Sequence, residues 1–97
     1  MTVHVGTKTK DPDSVADYKF DWSRWLEETT TTTDTISSSS WTVDSGLTKD
    51  SDSNSTTTAT IWVSGGTAGT AYQATNRIVT AGGRTADRTI TFIVRER

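Results

Sequence analysis

Apolar and polar side chains alternate with a period of two in several stretches of this chain. Tyr18, Phe20 and Trp22 form one such row, and Ile61 and Val63 a second. Tyr72, Ala74, Asn76 and Ile78 form a third, and Ile90, Phe92 and Val94 a fourth. In an extended strand successive side chains point to opposite faces, so each row predicts one inward-facing strand surface. The first row has a competitor. Val15, Tyr18, Trp22 and Trp25 also fit one helical face, and Ser14 followed by Asp17 resembles a weak capping pair. A helix would point Phe20 away from Tyr18 and Trp22, so the pattern favours a strand over about 17–22. A tight turn carrying Trp25 and Leu26 would then cover one end of the core.

The intervening segments complete an all-β order. Residues 35–43 predict a strand with Trp41 and Val43 directed inward, and Asp44, Ser45 and Gly46 a turn before a short strand starting at Leu47. The threonine run 29–33 and the polar stretch 50–54 read as loops. In 56–64, Ile61 and Val63 face inward. Trp62 then faces solvent or an interface, or is covered by a loop of the chain itself. Gly65, Gly66 and Gly69 mark a turn. A two-residue turn at Gly82-Gly83 would set Tyr72 opposite Ile93 and place the third and fourth rows on opposite faces. An odd loop, such as 82–84, restores agreement and commonly carries a glycine bulge.

Short strands separated by turn signals predict a small immunoglobulin-like β-sandwich of about seven short antiparallel strands. Tyr72, at a strand start shortly after Gly69-Thr70, resembles a tyrosine corner, and Trp41 takes the place of a central core tryptophan. Residues 1–13 read as an extended N-terminal arm and 14–97 as a single sandwich domain. In the arm only Val3 and Val5 signal packing, and Pro12 biases Asp11 toward extended backbone. Such an end is either disordered or docks on a neighbour.

Composition narrows the picture. A domain of 97 residues buries only about 60–65% of the surface its unfolded chain exposes. The four tryptophans must therefore supply much of the core. With no cysteine, disulfides, zinc–thiolate sites and thiol catalysis are excluded together. No apolar run approaches a membrane span, and the N-terminus lacks the hydrophobic region of a signal peptide. The net charge of −2 is unevenly spread. Residues 1–64 carry five cations against ten acids, a net −5, and residues 65–97 carry five arginines against two acids, a net +3. This asymmetry either marks sheet surfaces of different sign or steers association between partners.

Candidate chemistry is sparse. The single histidine, His4, lies in the arm beside no fixed acid, so a nucleophilic triad has no base. Asp50 and Asp52 lack the aromatic platform of a glycosidase pair and read as turn-forming residues. Asp50-x-Asp52-x-Asn54 resembles the first half of a calcium loop, but Ser55 and Ile61 occupy the positions that need glycine and glutamate. A looser calcium site at a sandwich edge stays open. Gly65-Gly66-Thr67-Ala68-Gly69 lacks the lysine and the helix of a phosphate loop. The acidic balance argues against specific nucleic-acid binding. No cofactor is expected.

The stretch Asp11-Pro12-Asp13-Ser14-Val15-Ala16-Asp17-Tyr18-Lys19-Phe20-Asp21-Trp22-Ser23-Arg24-Trp25-Leu26 resembles the opening of small tailed-bacteriophage virion proteins described as phage fiber-tail adaptors. The resemblance continues through Ser40-Trp41-Thr42-Val43, Gly46-Leu47-Thr48-Lys49-Asp50-Ser51-Asp52-Ser53 and Ser64-Gly65-Gly66-Thr67, and ends at Thr75-Asn76-Arg77-Ile78 and Gly82-Gly83-Arg84-Thr85. It implies a non-enzymatic virion structural protein, made in the host cytoplasm. Its partners would be tail or fiber components, and it would be a homo-oligomer within the particle. Capsid decoration or a neck position uses similar sandwiches. Candidate partner contacts are Val3, Val5, Pro12, Trp25, Trp62 and Arg84. Two other classes remain: a carbohydrate-binding module gripping sugars with Trp25 and Trp62, and a calcium-dependent adhesion domain.

Overall fold

The computed structural model describes residues 2–27 and 34–96, with side chains from Gly6 onward. The threonine run 29–33 lies outside the described residues. Seven strands and one helical turn follow in order: β1 (Thr2–Lys10), β2 (Ala16–Asp21), α1 (Ser23–Glu27), β3 (Ile36–Val43), β4 (Leu47–Asn54), β5 (Thr58–Gly65), β6 (Ala71–Thr80) and β7 (Thr85–Val94). They form two sheets, one ordered β1-β7-β6-β3 and the other β2-β5-β4. The chain is therefore an all-β, two-sheet sandwich, as the alternation predicts. Among the described residues no helix is long and apolar enough to cross a membrane.

The alternating rows become the core. Phe20, Ala59, Ile61 and Val63 line the inner face of the three-stranded sheet. Tyr72, Ala74, Asn76, Ile78, Ile90, Phe92 and Val94 line that of the four-stranded sheet. Between them runs a chain of rings. Tyr18 meets Phe92 and Phe20 edge-on, at centroid distances of 6.5 and 5.3 Å. Phe20 stacks on Trp41 at 5.2 Å and meets Trp22 edge-on at 6.4 Å, and Trp22 in turn meets Trp25 at 5.4 Å. Edge-to-face pairs at these distances add to the area the rings bury.

One buried polar group joins the layers. Asn76 is fully buried. Its Oδ1 accepts the indole N–H of Trp22 at 3.0 Å, while Nδ2 donates to Ser39 Oγ at 2.9 Å and to the Ser40 carbonyl at 3.0 Å. Trp22 follows β2 and Asn76 lies on β6, so this bond crosses the sandwich.

The β6–β7 register pairs Tyr72 with Phe92, which keeps both inward rows on one face. The loop has an odd number of residues, as parity requires, but it is 81–83 rather than 82–84: the Thr80 N–H bonds the Arg84 carbonyl at 2.8 Å and Gly83 takes φ +89°. This is the glycine-bulge hairpin geometry. The Tyr72 hydroxyl accepts the Thr67 N–H at 2.9 Å. Its ring leaves no room at Gly46 (φ +103°), where a Cβ would lie 2.8 Å from Tyr72 Cε1.

Two features depart from the sequence reading. Six strands pair antiparallel with their neighbours, but β1 runs parallel along β7, from Thr2 opposite Asp87 to Lys10 opposite Val94. It leads to β2 in the other sheet, so it crosses between layers instead of folding back as a hairpin. Its seam is closed by Lys10, which is buried although charged. Lys10 Nζ donates to the carbonyls of Asp11 and Gly65, both at 2.8 Å. The stretch 50–54 is strand rather than loop. It lies in β4, which borders its sheet and pairs with β5 through backbone while burying only Leu47, so its side chains carry no apolar signal.

Replacing Asn76 with Ala should lower unfolding free energy by about 2–4 kcal/mol, because it leaves a cavity and an unpaired buried indole N–H. Urea denaturation monitored by tryptophan fluorescence measures this, and Asn76→Ala unfolding at the wild-type midpoint would refute it.

Candidate functional site

The candidate contact residues fall in separate places. The backbone of Val3 lies opposite Arg88, and Val5 sits at the register shift between His4 and Gly6. The side chains of Val3, His4 and Val5 lie outside the described residues. Pro12 is half-buried in the turn after β1. Trp25 and Arg84 are brought together, whereas Trp62 stands on the outer face of the β2-β5-β4 sheet, 42% exposed. Trp25 and Trp62 therefore form no common sugar platform.

Around Trp25 the structure builds a cluster that sequence reasoning missed. The Arg84 guanidinium lies 4.0 Å from the Trp25 ring centroid, while its Nε donates to Asp34 Oδ2 at 3.2 Å. Asp34 Oδ1 accepts the backbone N–H groups of Thr35 and Gly82, both at 2.9 Å. One carboxylate thus ties the start of β3 to the β6–β7 hairpin, and the hairpin's arginine caps the helical turn. The Thr80 hydroxyl, then the Thr35 and Gly82 amides and Arg84, hold the Asp34 carboxyl down from 3.8 to about 2. A second stack repeats the pairing: Arg88 lies 4.0 Å from the Trp22 centroid and donates to the Asp21 carbonyl at 3.2 Å. Nothing local in the sequence marks either arrangement, because each joins residues far apart in the chain.

The other outer face carries a shallow groove of about 350 Å³ lined by Ser40, Thr42, Thr75, Arg77 and Asp87. Arg77 holds Asp87 with two parallel bonds, Nε to Oδ1 at 2.8 Å and Nη2 to Oδ2 at 2.9 Å. That contact lowers the Asp87 pKa and raises that of Arg77. The groove thus offers hydroxyls beside a neutralised ion pair.

Asp50 and Asp52 diverge. Asp50 bulges out of register and accepts the Ser64 hydroxyl at 2.8 Å, while Asp52, in register with inward Ile61, takes Lys49 Nζ at 2.8 Å. Among the described residues no group of three or more His, Cys, Asp or Glu is placed to hold a metal ion.

The charge asymmetry survives folding. The β2-β5-β4 sheet is drawn wholly from residues 16–65, and its strands carry Asp17, Asp21, Asp50 and Asp52 against Lys19 and Lys49. Of the C-terminal arginines, Arg84 and Arg88 turn onto tryptophans and Arg77 onto Asp87.

Because the folded Asp34 pKa lies below its unfolded value, its contribution to stability is complete above about pH 4 and is lost as pH falls toward 2. Asp34→Asn should therefore lower stability at neutral pH and flatten the fall in melting temperature between pH 5 and 2. An equally steep fall in the variant, followed by calorimetry, would contradict this assignment.

No curated protein matches the chain. Residues 10–93 match the family described as podophage GP4 fiber-tail adaptor protein gp77. The match runs from the last residue of β1 almost to the end of β7, and so takes in both layers, the ring chain and the Trp22–Asn76 bond. The chain belongs to this fiber-tail adaptor family of podophages.

Proposed function

We propose that this protein is a non-enzymatic virion component that joins a fiber to an adjacent part of the tail. The observation that carries the reading is the family match across residues 10–93. The geometry supports it. The molecule measures 47 × 21 × 20 Å, long enough to separate two partners, and its rigidity comes from a core in which rings interlock. Attachment uses the sandwich and the N-terminal segment, residues 1–13. β1 is the outermost strand of its sheet and, among the described residues, pairs with β7 alone, which leaves its other edge to a partner strand. The contacts fall on Val3, Val5, Pro12, Trp25, Trp62 and Arg84. Several copies act together in the particle, as closed symmetry commonly arranges.

Synthesis in the host cytoplasm accompanies this role. The sandwich is of immunoglobulin-like type in this reading. The Tyr72 hydroxyl bonded to the Thr67 backbone and the buried Trp41 support that comparison.

Disrupting the gene in its phage should give particles that keep capsid and tail but lack fibers, and supplying the protein in trans should restore them. Cryo-electron microscopy of the two particle types reads the result. Normal fibers on the disrupted particles, or density for this chain on the capsid or in the neck, would overturn the proposal.

A further inference from the structure

The outer face of the β2-β5-β4 sheet holds a tryptophan that the core does not use. Trp62 lies opposite Asp17 on β2 and Ser51 on β4, with Lys19 paired to Thr60 one step along. Val15, 58% exposed, stands just ahead of β2, next to its first residues. The carboxylates of this face are Asp17, Asp21 and Asp50, against Lys19. Two of them are engaged within the chain: Asp21 accepts the Ser23 N–H at 3.0 Å, and Asp50 the Ser64 hydroxyl at 2.8 Å. The Asp17 carboxylate, directly across from the indole, has no hydrogen bond or ion pair among the described residues. Among them, no lysine or arginine stands over Trp62 either.

The same molecule shows what completes such a pair. At Trp25 and at Trp22 an arginine lies 4.0 Å from the ring centroid and also bonds an acceptor oxygen beside the ring, a carboxylate in one case and a carbonyl in the other. A guanidinium suits both parts, because its plane stacks on an indole while its edge donates to a carboxylate in a fixed fork. Trp62 and Asp17 present the ring and the carboxylate without the cation.

We propose that this face is the docking surface for an arginine-bearing segment of a tail protein, with the guanidinium stacked on Trp62 and donating to Asp17. The inference rests on the adaptor reading and specifies its contact. The excess of acid on the face favours a basic partner, and an aromatic at the centre of a polar ring is the arrangement in which binding energy concentrates. Val15 adds apolar contact at the margin, and Lys19 selects against a second cation on that side.

The test uses phage particles lacking this protein, made by gene disruption, and measures rebinding of the purified, fluorescently labelled chain. Trp62→Ala should weaken rebinding at least about 30-fold and Asp17→Asn about tenfold, with Trp62→Phe retaining most of the affinity. Asp17→Asn should also reduce the salt sensitivity of binding. Treating the stripped particles with phenylglyoxal, which modifies arginine, should abolish rebinding, whereas acetylating their lysines should not. All these substitutions lie on the surface, so unchanged melting temperatures verify folding. Wild-type affinity in both Trp62→Ala and Asp17→Asn would overturn the inference while leaving the adaptor reading intact. Loss in Trp62→Ala with no effect of Asp17→Asn or phenylglyoxal would assign the face to an apolar or sugar ligand and overturn it equally. Failure of the wild-type chain to rebind at all would refute the adaptor reading, and this contact with it.

Discussion

The hydrogen bond from the Trp22 indole to Asn76 is the contact around which the sandwich is organised. It crosses between the sheets at the end of the ring chain where β2 gives way to α1, and it leaves the Asn76 amide no spare donor. Leaving the Trp22 donor unsatisfied would cost about 1–3 kcal/mol, a large loss in a thin core where, among the described residues, the buried Trp41 indole N–H already has no partner. The bond is therefore made only when β2, β3 and β6 are all in register. With Trp22 held, Trp25 packs against it, Arg88 covers one side, and Arg84 and Asp34 close the hairpin over the turn. The specificity of this end of the molecule follows from one amide, and its bulk from four rings.

Much of this fold was legible because period-two alternation and face parity are strong constraints. Phe20 distinguished strand from helix in the first row, and it lies buried beside Trp41. The parity of Tyr72 and Phe92 requires an odd hairpin loop, and the loop is odd. The position of Trp62, opposite in phase to Ile61 and Val63, left it on the outside. What was missed has a common cause. β4 binds through backbone while its serines and aspartates stay in water, so hydropathy does not mark it. Lys10 is buried because two carbonyls happen to converge on its ammonium, one of them at Gly65, far along the chain. The arginine–tryptophan stacks and Asp34 likewise depend on distant partners. Alternation reports the face a residue shows to its own strand, and it carries no information about which distant group will lie there.

The way the sheet borders are built bears on how an adaptor of this kind can hold its neighbours. An open border invites indiscriminate strand pairing, and bulges and inward charges discourage it. β4 has both devices: Asp50 breaks the ladder, and Lys49 and Asp52, in register with inward Val63 and Ile61, pair with one another at the margin. β3 also breaks register, between Ile36 and Ser38. At β2, Lys8 reaches across from β1 to the Asp17 carbonyl at 2.7 Å and joins the two sheets on that side. All four borders are thus interrupted or tied, since β1 itself breaks register between His4 and Gly6 and lends Lys8 to β2. Selective attachment is then left chiefly to the flat faces. On the flat faces the distribution of tryptophan is decisive. Trp22, Trp25 and Trp41 are spent on a core too small to do without them, and Trp62 alone is turned to solvent, in a sheet whose acids outnumber its bases. A tryptophan that stands outside the core cluster and leaves 42% of its surface exposed on a polar sheet face fits a surface completed by another molecule.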